Sequence, residues 1–297
     1  MNRRNFLKSS GALGALSCLP FSCMTMESSS TFKLGYQLYS IRDEMAKDPI
    51  ATLKALKRMG FEDFEHYGFD ASKGTYYGHD ATEFKSILDD LGLSISSGHY
   101  PFAELFNSPE GEVKRYVDSC IKGAMAMNSN YIVWPWLAPD NRNLEGYKKL
   151  SQLLNVIGEQ ITNAGLGFAY HNHGYEFEDH QGNNGYRIIT KGTDHDLVKL
   201  QLDMYWIMHE GLSTPNTIIN EYPGRFVMWH IKDMHKTSRD YTELGNGSID
   251  YTTIMPDPGI SGLEYFYIEQ GGNYTVNSMQ SAKDSAKYFK ENLQNRL

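Results

Sequence analysis

The sequence predicts a single-domain (β/α)₈ barrel, an α/β fold in which eight parallel strands alternate with helices. Eight short apolar runs recur from Leu34 onward at intervals of roughly thirty residues, which gives the number of strands that such a barrel requires. Amphipathic segments with helical spacing separate most of these runs. The turn after the first run, 40–43, lacks glycines that could cradle a phosphate, and this disfavours a doubly wound nucleotide-binding sheet.

The predicted elements follow one another in a regular order. Asp48 and Pro49 open the first helix and Gly60 ends it. Apolar residues at helical spacing predict further helices that start at Asp80 or cover 112–127, 144–164 and about 277–293; a polar, glycine-rich loop with one short helical turn fills 179–196. The eight strands are predicted at residues 34–40, 61–67, 93–97, 131–135, 166–170, 198–202, 226–231 and 264–268.

The first thirty residues form a targeting segment outside the fold. Arg3 and Arg4 begin a close match to a twin-arginine export signal, and a weakly apolar stretch follows from Gly11 to about Phe21. A membrane span would need about 20 apolar residues. We therefore expect a signal peptide and spacer at 1–30, the barrel at 31–297 and a periplasmic protein exported by the twin-arginine route.

Lipid attachment is an alternative fate of the same segment. Cys18 and Cys23 each follow a serine, as a lipidated cysteine follows a small residue, although the residues before them fit the lipoprotein pattern poorly. Membrane contact is expected only if one of these two cysteines carries a lipid. Cys120 is the one remaining cysteine, so no disulfide framework can form within a mature chain.

Charge and composition limit the partners. The formal net charge of −8 argues against nucleic acid, which selects basic surfaces. Tyrosine and tryptophan are plentiful; such residues often line carbohydrate sites, but they are equally ordinary core residues. We expect a small-molecule carbohydrate substrate, and the sequence leaves a homo-oligomer open.

Polar side chains end several of the apolar runs. The carboxyl ends of all strands in a parallel barrel surround one mouth, so residues distant in sequence meet there. Asp203, His230 and Glu269 end the last three runs, and with one further ligand they predict a site for one divalent ion, Mn²⁺, Mg²⁺, Co²⁺ or Zn²⁺. The other strand-end residues of interest are Glu65, His66, His99, Trp134, His171, His173 and Lys232.

Each of the three candidate ligands has a purely structural alternative. Asp203 stands where an aspartate often caps a turn or helix, and His230 alone would fit a hydrogen-bonded core histidine. Glu269 follows four apolar residues, where an unpaired carboxylate would be costly to bury. Their shared place on one predicted rim favours the metal site.

Seven short motifs, in this order and spacing, carry a family resemblance: GYQLYS at 35–40, FE at 64–65, GLGFAYHNH at 165–173, LDMYW at 202–206, HIKD at 230–233, GNGSID at 245–250 and IEQ at 268–270. Over residues 34–293 the chain resembles the xylose isomerase-like barrel family, which includes sugar isomerases, ketose epimerases, inosose dehydratase and endonuclease IV. The resemblance implies a metal held by Glu, Asp, His and Glu from strands 5 to 8. Asp203, His230 and Glu269 match the last three ligands.

Strand 5 departs from the family pattern, because His171 stands where the family has glutamate. Either His171 is a ligand or Glu176, five residues on, supplies the carboxylate; we favour Glu176, which restores an oxygen-rich set. The resemblance then implies Glu269 and Glu176 as catalytic carboxylates and Lys232 as the partner of the oxyanion. The residues expected to bind substrate are Glu65, His99, Trp134, His171 and His173.

Three functions follow from this site. The first is a divalent-metal-dependent isomerase or epimerase that acts on a sugar or keto-sugar through an enediolate. The second is a keto-sugar lyase or dehydratase of 3-keto-glycoside or inosose type, because the histidine-rich strand 5 is similar to the inosose dehydratase branch. The third is a non-catalytic periplasmic sugar binder that has kept the barrel.

Overall fold

The structure is a computed structural model that describes residues 32–297; the signal segment, with Cys18 and Cys23, lies outside the described residues. Eight parallel strands close into one barrel, each paired with its neighbours in the chain, and β8 pairs with β1 to close the ring. The predicted single-domain barrel is thereby confirmed. The strands are β1 Gly35–Gln37, β2 Asp63–His66, β3 Ser94–His99, β4 Tyr131–Trp134, β5 Gly167–His171, β6 Lys199–Asp203, β7 Met228–Ile231 and β8 Tyr265–Ile268.

Helices surround the barrel. The longest predicted helices begin and end within two residues of their expected positions. Two seven-residue helices after β6 were not predicted, because they are too short to show a helical periodicity. The main helices are Pro49–Met59, Ala81–Asp90, Glu110–Ala126, Leu144–Asn163, Gly185–Gly192, Met204–Glu210, Pro215–Glu221 and Ser278–Asn292. None of the helices described in residues 32–297 has the length and apolar character needed to cross a membrane.

Shorter elements fill the connections. Single helical turns occur at Arg42–Met45, Tyr251–Ile254 and Pro258–Ser261, and 3₁₀ turns at Leu38–Ile41, Phe102–Leu105, Pro139–Asn141, Tyr175–Phe177 and Gln294–Arg296. Two small antiparallel sheets lie outside the barrel. One joins Phe69–Asp70, Thr75–Tyr76 and His79–Asp80, and the other joins Asp233–Met234 to Tyr241–Thr242.

Local sequence signals set the helix ends. The Asp48 side chain accepts a hydrogen bond from the backbone N–H of Ala51, 2.9 Å away, and Pro49 occupies the first turn. Gly60 ends the same helix in the left-handed conformation, with φ of +95°. These signals place the first helix between β1 and β2, as the sequence predicts.

Alternation along the strands separates the core from the site. On β7, Trp229 and Ile231 join the large apolar core that packs the barrel against its helices, whereas Met228 belongs to a small separate cluster. Residues two apart in a strand share a face, so His230 points the same way as Met228. The strand register places His230 beside Asp203 on β6. On its other side, His230 lies beside Tyr267 on β8, two residues before Glu269. The strand ends therefore bring the three candidate ligands to one rim.

Barrel closure depends on a close approach at Gly35. A Cβ atom at this position would lie 1.9 Å from the carbonyl oxygen of Phe266 on β8 and 2.9 Å from the Tyr267 ring. Backbone atoms cannot yield as a flexible side chain does, so β1 tolerates no side chain at this position without moving away from β8.

We predict that Gly35→Ala lowers the free energy of unfolding by about 1–3 kcal/mol, the usual cost of forcing extra volume into a packed interior. Urea unfolding followed by circular dichroism measures the change. Gly272→Ala is the control, because a Cβ at Gly272 meets no atom within 4 Å. Equal stability of the two variants would contradict the tight closure of β1 on β8.

Candidate metal centre and active site

His230 lies at the centre of the rim, between two buried carboxylates. Its Nδ1 is 2.5 Å from Glu269 Oε2 and its Nε2 is 2.6 Å from Glu65 Oε2. Burial alone would lower the pKa of His230, but Glu65 and Glu269 outweigh it and raise the pKa to about 9. The ring, positively charged at neutral pH, joins β2 to β8 across β7.

Lys232 supplies the second positive charge. Its Nζ lies 2.7 Å from Asp203 Oδ2 and 2.7 Å from Glu269 Oε2, and all three side chains are buried. Burial opposes the charge on Lys232, yet the two carboxylates raise its pKa. Burial likewise acts against ionised Glu269, but Lys232 and His230 hold its pKa below the usual range. Glu269 is consequently ionised, as a base must be.

Asp203 performs the capping role and faces the site at the same time. Its Oδ1 accepts hydrogen bonds from the backbone N–H groups of Tyr205 (3.1 Å) and Trp206 (3.4 Å), which begin the helix Met204–Glu210. Its Oδ2 points to the rim, where Lys232 and the Nε2 of His171, 3.5 Å away, approach it. The structural and the functional interpretations of Asp203 are thus compatible.

A layer of amides and hydroxyls supports these residues from below. Gln37 Nε2 donates to Glu65 Oε2 (2.6 Å), while Ser97 Oγ and Gln201 Nε2 both donate to Glu65 Oε1 (2.7 Å each). Glu65 therefore remains ionised: burial raises its pKa, but His99 and His230 lower it well below the usual range. Gln37, Ser97 and Gln201 were not among the predicted site residues. The position of Gln201 could have indicated its role, because it lies two residues before Asp203 and so shares its face of β6.

Gln201 also orients two histidines. Its Oε1 is 2.8 Å from His99 Nε2 and 2.9 Å from His171 Nδ1. An amide oxygen accepts hydrogen bonds, so Nδ1 of His171 is assigned the proton and Nε2 is left with a lone pair that faces Asp203. Histidine ligands are commonly held in this way, with the other ring nitrogen donating to a fixed acceptor.

The donor set fits a divalent ion. Asp203, His230 and Glu269 each offer a ligand atom, and these atoms lie within 4.8 Å of one another; His99, His171 and His230 form a second group by the same measure. Glu65 holds Nε2 of His230, which is the carboxylate–histidine arrangement that presents the other ring nitrogen to a metal. A metal at this place requires Nδ1 of His230 to lose its proton.

Glu176 is not brought to this set. Its Oε1 accepts a hydrogen bond from the Tyr170 hydroxyl (2.5 Å) and its Oε2 accepts one from the backbone N–H of His173 (2.9 Å). The carboxyl is fully buried, and burial raises its pKa to about 7. The turn Tyr175–Phe177 thus directs the Glu176 carboxyl toward Tyr170 and the His173 backbone, whereas the His171 imidazole is the group of this part of the chain that lies beside Asp203.

Trp134 also lies away from the mouth. Its ring stacks on Phe102 at 5.3 Å in the core between barrel and helices, and its Nε1 donates to the carbonyl of Trp136. Trp136, two residues later, lines the open cavity in its place and is 41% exposed. His66 likewise packs outside the barrel, against Tyr76 and Tyr100.

An open cavity of about 550 Å³ leads down to the rim. Aromatic and proline residues form its walls, whereas histidines, Lys232 and Glu269 form its floor. Its described lining is Tyr39, Tyr67, His99, Tyr100, Pro101, Pro135, Trp136, His171, His173, Lys232, Tyr241, Glu269 and Gly271. Of the predicted site residues, His99, His171, His173, Lys232 and Glu269 are exposed to this cavity together.

Two family models match the sequence. One, described as a xylose isomerase-like TIM barrel, matches residues 53–292, and the other, a twin-arginine translocation pathway signal sequence, matches residues 1–20. The second match indicates export by the twin-arginine route. No curated protein matches the chain.

Several solved structures share the fold. A sugar phosphate isomerase/epimerase from Parabacteroides distasonis ATCC 8503 is 24% identical, with a TM-score of 0.79 over 93% of this chain and 99% of that one. The IOLI protein with a bound zinc atom is 14% identical, with a TM-score of 0.68 over 90% and 99%. A probable 3-DHS dehydratase from Bacillus anthracis is 15% identical, with a TM-score of 0.66 over 87% and 99%. At these identities the likeness shows the fold alone.

We predict that Glu176→Gln leaves metal binding unchanged, because both oxygens of Glu176 are used away from the rim. Metal content after dialysis against Mn²⁺, measured by elemental analysis, tests this. Asp203→Asn is the matched comparison and should lose bound metal. Loss of metal from Glu176→Gln would return Glu176 to the ligand set.

The same variant should change the pH dependence of stability. A carboxyl with a folded-state pKa of about 7, against 4.5 when unperturbed, contributes stability below pH 4.5 that is lost as the pH rises through about 7. Between pH 5 and 8 the wild type should therefore lose up to about 3 kcal/mol relative to Glu176→Gln. Thermal or urea unfolding across this range measures it. A pH-independent difference between the two proteins would contradict the raised pKa.

Proposed function

The chain belongs to the xylose isomerase-like TIM barrel family, and on this premise we propose that it is an exported, divalent-metal-dependent enzyme that enolises a sugar or keto-sugar as an isomerase or epimerase. The observation that carries the proposal is the convergence of Asp203, His230 and Glu269 at the floor of an open cavity. Export by the twin-arginine route is consistent with a periplasmic site of action.

The proposed ligands are His171, Asp203, His230 and Glu269. His171 takes the place of the glutamate on strand 5, because its Nε2 faces Asp203 Oδ2 while Nδ1 is held by Gln201. A Mn²⁺, Mg²⁺, Co²⁺ or Zn²⁺ ion bound there would polarise the substrate carbonyl and an adjacent hydroxyl. The zinc atom bound by the IOLI protein and the oxygen- and nitrogen-rich donor set of this chain support an ion of this class without selecting one.

The chain's own residues perform the proton transfer. Glu269 is the base that removes the proton next to the carbonyl: its contacts with His230 and Lys232 both use Oε2, so Oε1 is the atom available to the substrate. Lys232 lines the cavity beside Glu269 and donates to the oxygen that gains negative charge. His99 and His173 orient substrate hydroxyls from the other side of the floor, and Glu65 holds His230.

A lyase is the second candidate, and the position of Glu176 favours it. An epimerase of this family would need a second carboxylate opposite Glu269, but Glu176 lies behind β5 and histidines occupy that side. With one carboxylate base, Glu269 removes the proton, its electron pair forms the carbon–carbon double bond, and the bond to the β-oxygen breaks. The departing oxygen takes a proton from the histidine side of the cavity, at His99 or His173, neither of which is a proposed metal ligand.

The cavity walls support an uncharged carbohydrate. Tyr39 and Trp136 present partly exposed rings, 43% and 41%, that suit the apolar faces of a sugar. Of the described residues that line the cavity, Lys232 is the one lysine or arginine, and the two carboxylates hold it. Arg42 and Arg142 lie over the rings of Tyr39 and Trp136, at 4.4 and 5.4 Å, so they stabilise the walls.

We predict that the metal-loaded enzyme catalyses exchange of the proton next to a ketose carbonyl with D₂O, observed by NMR. Glu269→Gln should lower the rate at least a hundredfold, since general base catalysis contributes about 10²–10⁴. Glu264→Gln, at the opposite end of the barrel on the same chain segment and bonded to Tyr131, is the matched control. Absence of exchange on any ketose or keto-glycoside would leave the sugar binder as the better interpretation.

Incubation with a 3-keto-glucoside distinguishes the two enzymatic outcomes. A lyase releases the aglycone and leaves an unsaturated keto-sugar, whereas an epimerase returns an intact glycoside with inverted configuration. Epimerised glycoside without release would support the proposed isomerase or epimerase, whereas aglycone release would contradict it and support a lyase with Glu269 as its one carboxylate base.

Removal of the ion should abolish either activity. Treatment with a chelator followed by gel filtration is expected to lower the rate to that of Glu269→Gln, and one of the four proposed ions should restore it. Full activity in protein shown by elemental analysis to contain no divalent metal would contradict the metal-dependent proposal.

A further inference from the structure

Lys232 occupies the place that a metal ion would share. Its Nζ lies 2.7 Å from Asp203 Oδ2 and 2.7 Å from Glu269 Oε2, the oxygens that face the proposed metal position. The other oxygen of Asp203, Oδ1, accepts from the backbone N–H groups of Tyr205 and Trp206, so Oδ2 is the oxygen that the ammonium and an ion would both use.

We infer that the Lys232 ammonium is a built-in competitor of the metal, which binds the carboxylate pair in the metal-free enzyme and is displaced into the substrate cavity when the ion binds. The inference rests on the proposed metal-dependent function. Metal binding would free Lys232 to act on the substrate, so the metal ion and the Lys232 ammonium would reach the substrate together.

Electrostatics opposes simultaneous binding of the two cations. An ion bound about 2.2 Å from either oxygen would lie at most about 4.9 Å from Nζ, which is itself 2.7 Å from each oxygen. Two positive charges at that separation repel in a buried site, where water screens poorly. The divalent ion gains more from Asp203 and Glu269 than a single ammonium does, so we expect the ion to displace Lys232.

The structure provides a direction for the displacement. The backbone of Lys232 is held on both sides by the Tyr251 hydroxyl, which accepts from its N–H (3.3 Å) and donates to its carbonyl (2.6 Å). The side chain is therefore the part that moves. It already lines the cavity, and the Tyr241 ring, with its centroid 5.9 Å from Nζ, stands on the same wall.

Calorimetric titration with Mn²⁺ tests the competition in the full protein. Lys232→Met removes the competing charge and should bind Mn²⁺ at least tenfold more tightly than the wild type. Lys236→Met, which removes an exposed lysine of the same loop, should bind as the wild type does. Equal or weaker binding by Lys232→Met would overturn the inference. Absence of binding in every protein would overturn the proposed metal site together with it.

A second measurement uses the wild type alone and does not depend on the folding of a variant. Lys232 is buried in the metal-free structure, so an amine-acetylating reagent should modify it slowly. Addition of Mn²⁺ should raise its labelling at least severalfold, measured by peptide mass spectrometry, with Lys236 as the internal reference. Labelling of Lys232 that stays constant or falls on addition of Mn²⁺ would show that the ammonium is not displaced.

Discussion

Charge balance at the carboxyl ends of the strands is the constraint on which the site depends. Three buried carboxylates, from Glu65, Asp203 and Glu269, meet two buried cations, His230 and Lys232, within 2.5–2.7 Å at four contacts. Isolated buried charges of this kind would be prohibitively costly, so each residue depends on the others. The barrel makes the arrangement possible, because parallel registration places strand ends that are distant in sequence side by side. The open cavity adjoins this set of charges at Lys232 and Glu269.

The elements that carry this set were predictable because strand ends follow from sequence pattern. Asp203, His230 and Glu269 each end an apolar run, and parallel strands of a barrel end at one rim, so their meeting required no side-chain information. Glu176 was not predictable in the same way. It follows β5 by a few residues, and the direction of its side chain depends on the turn Tyr175–Phe177 and on a hydroxyl, that of Tyr170, which no periodicity reveals. Local turn geometry therefore determines which side chain after β5 lies near Asp203.

Trp134 and Trp136 illustrate the same limit. Trp134 is the last residue of β4 and its ring stacks on Phe102, whereas Trp136 lies two residues later and lines the cavity. The sequence showed aromatic residues at the mouth but did not show which ring faces the cavity. The amides beneath the site were also missed, although the two-residue period of β6 places Gln201 under Asp203. Gln201 connects Glu65, His99 and His171. In barrels of this kind, an amide side chain two residues before a charged strand-end residue therefore indicates a hydrogen-bond partner of the site.

We propose that β5 to β8 hold one divalent ion through His171, Asp203, His230 and Glu269. Anomalous diffraction from crystals of the protein soaked in Mn²⁺ tests this proposal most directly. We predict a single strong peak about 2.0–2.3 Å from His171 Nε2, Asp203 Oδ2, His230 Nδ1 and Glu269 Oε2, with the Lys232 ammonium withdrawn toward Tyr241. A peak bonded to Glu176, or fully occupied Lys232 between Asp203 and Glu269 with no peak beside them, would contradict it.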